Sequence, residues 1–149
     1  MRKIIADNNI DLDSEIAGSK LSELLIAPTK IYVKECLAVI KQNIVKALCH
    51  ITGGGFTENL PRILPENAAA HIDITKWQQP AIFSWLQEQG KIEQDEMLKT
   101  FNCGIGMVLV VSAEKLAQAM QILDQQNSQA IVIGEIIEQK TAKVEYYYG

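Results

Sequence analysis

The residues best suited to chemistry lie between His50 and Gly55, where the sequence reads HITGGG. An imidazole and a hydroxyl lead into three glycines, and the pattern at 56–64 predicts a helix. The first N–H groups of a helix have no partner inside it, and they point outward with the positive end of the helix dipole. The stretch therefore predicts a site for a phosphate-like anion beside a titratable side chain.

The predicted phosphate- or nucleotide-binding loop consists of Thr52 and the glycines Gly53, Gly54 and Gly55, with His50 as the candidate catalytic residue. His50 could act as an acid or base, or donate a hydrogen bond to the anion. A simpler interpretation stays open, in which the glycines only form a tight turn and the histidine only satisfies backbone groups at a strand end. The loop matches neither the dinucleotide fingerprint nor the Walker A pattern.

Two side chains on the predicted helix strengthen the anion hypothesis. Asn59 and Arg62 are three residues apart, so they share one helix face and are assigned to the same binding site. Arg62 could bind a phosphate in bidentate fashion, although a solvent-exposed arginine is the alternative. A second glycine pair, Gly104 and Gly106, precedes the most apolar strand and permits close backbone approach to a ligand or to a neighbouring element.

Composition narrows the class of protein. A chain of 149 residues with 48% hydrophobic and 21% charged residues suits one globular domain. Its net charge of −4 argues against a nucleic-acid partner, and no apolar run approaches the roughly 20 residues that span a membrane. The cysteines Cys36, Cys49 and Cys103 are widely spaced and predict reduced, buried thiols in a cytoplasmic protein. No residues have the spacing of a metal site.

Strand-like and helix-like patterns alternate, which predicts an α/β or α+β domain with a mixed β-sheet flanked by α-helices. Strands are predicted at 45–52, 68–74, 107–111 (within the stretch 103–112), 130–138 and 142–148. Helices are predicted at 2–8, 32–43, 56–64, 80–90, 93–100 and 113–127. The polar segment 9–27 is predicted to be a mobile loop that holds a short helix near 21–25.

Four blocks of sequence together resemble a known family, the phosphoribosylformylglycinamidine cyclo-ligases, or aminoimidazole ribonucleotide synthetases. The blocks are 27–34 (APTKIYVK), 50–56 (HITGGGF), 58–65 (ENLPRILP) and 101–107 (FNCGIGM), in the order found in the family. The resemblance spans nearly the whole chain but covers only the C-terminal domain of these two-domain enzymes. It implies that residues 1–149 form that domain, with 2–8 as the truncated end of a helix.

By this resemblance, the intact enzyme uses ATP to close the ring of formylglycinamidine ribonucleotide, giving aminoimidazole ribonucleotide in de novo purine biosynthesis. His50 matches the active-site histidine of the family, and the glycine loop would hold a phosphate of the substrate or of the nucleotide. The missing N-terminal domain would supply most ATP contacts, the acidic residues that bind Mg²⁺ and much of a homodimer interface. The fragment alone is therefore expected to be inactive.

Two alternatives stay open. ATP-dependent enzymes of kinase type, such as selenophosphate synthetase and thiamine-monophosphate kinase, share the two-domain plan of this superfamily. The combination of the HITGGG and NLPR sequences favours the cyclo-ligase. A non-catalytic phosphate- or nucleotide-binding module is a different class of function and would need only the loop.

Overall fold

The computed structural model describes all residues from 1 to 149. Its helices are α1 (Arg2–Asp7), α2 (Leu21–Leu25), α3 (Val33–Ile40), α4 (Gly55–Asn59), α5 (Ala81–Gly90), α6 (Gln94–Thr100) and α7 (Leu116–Gln125). Its strands are β1 (Glu15–Ile16), β2 (Ser19–Lys20), β3 (Val45–His50), β4 (Ala68–Asp73), β5 (Met107–Val111), β6 (Gly134–Glu138) and β7 (Val144–Tyr147). Short 3₁₀ helices lie at Leu60–Ile63, Ile74–Lys76 and Ala113–Lys115. None of the helices has the length and hydropathy needed to cross a membrane.

The strands form three small sheets. β1 and β2 make a short antiparallel hairpin, and β3 pairs with β5 in an antiparallel ribbon. The third sheet has the order β6-β4-β7, in which β4 runs antiparallel to β6 and parallel to β7. These helices and the mixed sheet confirm the predicted α/β class. The strands predicted at 130–138 and 142–148 lie on opposite sides of β4.

The main hydrophobic core lies directly beneath the glycine loop. Ile51 precedes the loop and Phe56 follows it, and both are buried in a cluster of eleven residues with Leu60 and with Met97 and Leu98 of α6. Fully burying a side chain of this size contributes about 1.5–3 kcal/mol, so both ends of the loop are anchored. A second cluster joins α3, α7 and the start of β3 through Val39, Ile44, Ala119 and Leu123.

The helix predicted at 32–43 is the shorter α3, Val33–Ile40, and two other predicted helices contain a 3₁₀ segment. The helix predicted at 56–64 is α4 followed by the 3₁₀ helix Leu60–Ile63, because Pro61 has no N–H to donate to an α-helical hydrogen bond. The helix predicted at 113–127 begins as the 3₁₀ helix Ala113–Lys115 before α7. Segment 9–27 holds the β1–β2 hairpin as well as the expected helix α2, and its mobility remains a prediction.

The cysteines differ in burial. All three are free thiols, and Cys49 and Cys103 are buried as predicted, whereas Cys36 is only partly buried. Burial raises the pKa of the Cys103 thiol to about 11, so this thiol stays protonated at neutral pH.

Candidate functional site

Strand β3 presents His50 at the molecular surface. Successive side chains of a strand point to opposite sides, so buried Cys49 and exposed His50 face in opposite directions. His50 pairs with Met107 in the ladder between β3 and β5, and the N–H of Ile51 donates to the carbonyl of Gly106 at 2.9 Å. The neighbouring strand therefore fixes the backbone of His50, while its imidazole is exposed to solvent.

The three loop glycines meet different constraints. Gly54 and Gly55 have φ angles of +93° and +53°, in the left-handed region that favours glycine. A methyl group on Gly55 would also overlap the carbonyl oxygen of Leu98 in α6. Gly53 has neither constraint, because a methyl group there would meet no atom within 4 Å. The loop is thus packed against α6 at one end and open at Gly53.

Asn59 fixes the shape of the loop. It is 3% exposed, and its Nδ2 donates to the carbonyl of Gly55 at 2.7 Å and to the carbonyl of Gly53 at 3.2 Å. A longer contact of 3.5 Å joins the same Nδ2 to the carbonyl of Thr52. Although the sequence placed Asn59 among the binding residues, these contacts make it a support that holds the loop carbonyls inward.

The loop keeps several N–H groups free of backbone acceptors. Gly53, Gly54 and Phe56 donate no backbone hydrogen bond, whereas the N–H of Gly55 donates to the carbonyl of Thr52 at 3.1 Å. Free N–H groups of this kind, at the start of a helix, are the groups with which protein backbones bind anions. Thr52 is exposed beside them, so its hydroxyl is accessible to the same ligand.

Two charged side chains border the loop with opposite effects on an anion. Arg62 donates from Nη1 to Oδ1 of Asn59 at 3.3 Å. Burial raises the pKa of the Cys49 thiol, and the positive charge of Arg62 opposes this shift. The carboxylate of Glu58 lies against Gly54. An anion at the loop is therefore attracted by Arg62 and repelled by Glu58.

The site residues predicted from the sequence lie on one continuous stretch, from the end of β3 to the 3₁₀ helix after α4. Hydrogen bonds unite the loop, Asn59 and Arg62 into one unit. His50 precedes this unit along the chain and is not hydrogen-bonded to it. The arrangement can bind an anion through backbone N–H groups and one guanidinium, with an accessible imidazole nearby.

Two contacts of the site come from residues that the sequence analysis did not assign to it. The hydroxyl of Tyr146 in β7 is 2.9 Å from Oγ1 of Thr57 in α4. The ring of Tyr32 lies edge-on to the imidazole of His50, with 6.0 Å between the ring centroids and 64° between their planes. Tyr32 belongs to block 27–34, which is the one sequence signal that could have pointed to it.

A cavity lies beside the site. An open, mostly hydrophobic cleft of about 880 Å³ is bordered by β5, α7 and the segment that leads into β6. Tyr32 and Gly106 line part of it, but none of the predicted site residues does. No group of three or more His, Cys, Asp or Glu side chains is close enough together to hold a metal ion.

Comparison with known proteins identifies the family. The chain is 48% identical over 141 residues to the phosphoribosylformylglycinamidine cyclo-ligases of two Neisseria meningitidis strains, serogroup C / serotype 2a strain FAM18 and serogroup C strain 053442. Each match covers 94% of this chain but 41% of the relative, so the chain spans less than half of the relatives' length. The model of the family described as AIR synthase related protein, C-terminal domain, matches residues 1–147. The chain therefore belongs to the family of AIR synthase related C-terminal domains.

Proposed function

We propose that this chain is the C-terminal domain of a phosphoribosylformylglycinamidine cyclo-ligase and that its glycine loop binds a phosphate of the substrate or of ATP. The whole enzyme would use ATP to close the ring of formylglycinamidine ribonucleotide, giving aminoimidazole ribonucleotide, ADP and phosphate. The 48% identity to two proteins of that name supports this activity. The activity belongs to the whole polypeptide, because the chain spans 41% of the relatives' length.

The main support for the proposed binding site is that the side chain of Asn59 donates hydrogen bonds to the loop carbonyls. With the carbonyls of Gly53 and Gly55 bound to Nδ2, the N–H groups of Gly53 and Gly54 are available to oxygen atoms of a ligand. Arg62, which is hydrogen-bonded to Asn59, would add a charge-assisted hydrogen bond. The open space around Gly53 lets a ligand approach the backbone.

His50 would handle charge or a proton beside the bound phosphate. In the proposed reaction, ATP phosphorylates the formyl oxygen, and the amidine nitrogen then attacks the formyl carbon with loss of phosphate. The phosphoryl group carries negative charge in the first step, and a proton leaves the nitrogen in the second. An accessible imidazole next to the loop is suited to stabilise that charge or to accept that proton.

Other parts of the enzyme would come from polypeptide outside this chain. The side chains present do not fit a Mg²⁺ site, because no three potential ligands lie together. From the resemblance to the cyclo-ligases, we place the Mg²⁺ ligands, most ATP contacts and much of the homodimer interface in an N-terminal domain. We place the protein in the cytoplasm, because its three cysteines are free thiols.

Two other functions would use the same loop. A non-catalytic phosphate- or nucleotide-binding module would not need His50, and a kinase-type member of the superfamily would phosphorylate a different substrate. The names of the two relatives favour the cyclo-ligase over both. Turnover that depends on His50 would indicate an enzyme and not a binding module. A product with a closed imidazole ring would indicate a cyclo-ligase and not a kinase.

An amide NMR titration of this chain with formylglycinamidine ribonucleotide, and separately with Mg-ATP, tests the binding site. We expect the resonances at 53–55 to shift with the ribonucleotide. Arg62→Ala should weaken binding about tenfold or more, because a hydrogen bond to a charged group contributes roughly 1.5–3 kcal/mol. Arg2→Ala removes the only other arginine, on α1, and is the matched control.

The two ligands separate the outcomes. Shifts with the ribonucleotide would assign the loop to a substrate phosphate, and shifts with Mg-ATP alone would assign it to a nucleotide phosphate. A folded chain that responds to neither ligand would contradict the phosphate-loop proposal. In the full-length enzyme, His50→Ala should lower kcat far more than a change at His71, the other histidine. Equal effects of the two variants would remove His50 from the mechanism.

A further inference from the structure

Tyr32 connects His50 to the second glycine pair. Its ring lies edge-on to the imidazole of His50 at 6.0 Å. Its hydroxyl rests against Gly106, where a methyl group would overlap the phenolic oxygen. The carbonyl of Gly106 in turn accepts the hydrogen bond from Ile51, the residue after His50. Tyr32 is therefore seated on the backbone segment that is hydrogen-bonded to the end of β3.

Charged side chains also lie beside the Tyr32 ring. Nζ of Lys30 is 5.4 Å from the ring centroid and 3.5 Å from a carboxylate oxygen of Glu35. The Glu35 side chain is only 15% exposed, so the ion pair is partly shielded from water. Burial, followed by the charges of Glu35 and Cys36, raises the pKa of the Tyr32 phenol, which keeps the ring neutral. These contacts restrict the movement of the Tyr32 ring.

His50, by contrast, has little that restricts its side chain. It is exposed, and no hydrogen bond from the rest of the chain holds its imidazole. Exposed side chains normally exchange between rotamers on the picosecond to nanosecond timescale. The imidazole does make an edge-on contact with the ring of Tyr32. Because aromatic pairs prefer particular relative orientations, this contact favours one orientation of the imidazole.

We propose that Tyr32 is a positioning residue that holds the imidazole of His50 in the orientation in which it meets a ligand at the glycine loop. Gly106 is part of the same arrangement, because only a glycine leaves room for the Tyr32 hydroxyl. The proposal rests on the proposed function, since it assumes that His50 contacts a ligand bound at 53–55. It gives Gly106, one member of the second glycine pair, a role in the site through its packing against Tyr32.

A double-mutant cycle on ligand affinity tests the proposal. We expect Tyr32→Leu to weaken binding of formylglycinamidine ribonucleotide to this chain by about three- to tenfold, which is the range of coupling between contacting residues. Tyr32→Phe keeps the ring and should bind nearly as the native chain does. In a His50→Ala background, Tyr32→Leu should have less than about a twofold effect, because the residue it positions is gone. Tyr147→Leu, an exposed tyrosine of β7, is the control.

A ligand-free measurement separates this proposal from the proposed function. In the NMR spectrum of the native chain, nuclear Overhauser effects should connect the Tyr32 ring to the His50 ring, and Tyr32→Leu should shift the imidazole resonances of His50 but not those of His71. Absence of the Overhauser effects in the native chain would overturn the proposal. This outcome needs neither a bound ligand nor a folded Tyr32→Leu variant. An equal loss of affinity with and without His50 would also overturn it, because it would show a purely structural role.

Discussion

The two glycine-containing turns of this protein, 53–55 and 104–106, differ in what occupies the space that glycine leaves. At 104–106 that space is filled from within the chain, since Pro80 lies against Gly104 and Tyr32 lies against Gly106. At 53–55 only part of it is filled. Gly55 is pressed against α6 and Gly54 against the Glu58 side chain, but a methyl group on Gly53 would have no neighbour within 4 Å.

This difference shows that a glycine pattern alone does not identify a binding loop. Both turns are rich in glycine, and both permit close approach of the backbone to a ligand or to a neighbouring element. The turn at 104–106 uses its glycines for packing within the chain, whereas the turn at 53–55 combines packing at Gly55 with open backbone at Gly53. Substitution of each glycine by alanine should therefore have a different effect at each position.

The largest effect is expected for Gly55→Ala. The methyl group would overlap the carbonyl of Leu98, and the φ angle of +53° is unfavourable for alanine. Backbone strain of about 1–2 kcal/mol and overpacking of about 1–3 kcal/mol should together lower the free energy of unfolding by roughly 2–5 kcal/mol. Urea unfolding followed by circular dichroism measures this loss. A stability within about 0.5 kcal/mol of native, the usual scatter of surface substitutions, would contradict the packing of the loop against α6.

A smaller effect is expected for Gly106→Ala. The obstacle is the tip of the Tyr32 side chain, which can move, so we expect a loss of about 1–2 kcal/mol in the free energy of unfolding. Tyr32→Phe removes the phenolic oxygen that the methyl group would meet. The cost of Gly106→Ala should therefore be smaller in a Tyr32→Phe background, as urea unfolding of the four proteins would show. Strict additivity would mean that Tyr32 does not rest on Gly106.

The smallest effect on stability is expected for Gly53→Ala. Its backbone is outside the left-handed region and its surroundings are open, so the free energy of unfolding should change by less than about 0.5 kcal/mol. Affinity for formylglycinamidine ribonucleotide should nevertheless fall, because a methyl group would stand where the ligand approaches the backbone. NMR titration measures the affinity and urea unfolding the stability. Unchanged affinity would place the ligand elsewhere on the loop.

Local features of the fold and site were predictable from the sequence. The strand that ends at His50, the glycine turn and the helix that follows are all set by neighbouring residues, and the structure contains each of them. Pro61 divides that helix into α4 and a 3₁₀ helix. The periodic spacing of apolar residues did not predict this division. The proposed roles of His50, the loop and Arg62 remain predictions.

Long-range features were not predictable from the sequence. β7 pairs in parallel with β4, and Tyr146 reaches Thr57 across 89 residues of sequence. Strand periodicity indicates which face is buried but not which strand lies alongside, and one sequence carries no information on such pairings. The contact of Tyr32 with His50 was hidden for the same reason, since these residues lie on different elements.

The position of β7, whose Tyr146 follows Thr57 by 89 residues, affects how the site forms during protein synthesis. The ribosome makes β3, the glycine loop and α4 well before Val144–Tyr147, yet Thr57 of α4 is hydrogen-bonded to Tyr146 and β4 is paired with β7. Domains generally fold as units as they emerge from the ribosome. The nascent chain therefore exposes the loop before β7 has been made, and we expect the anion site to reach its final form only after β7 has been synthesised.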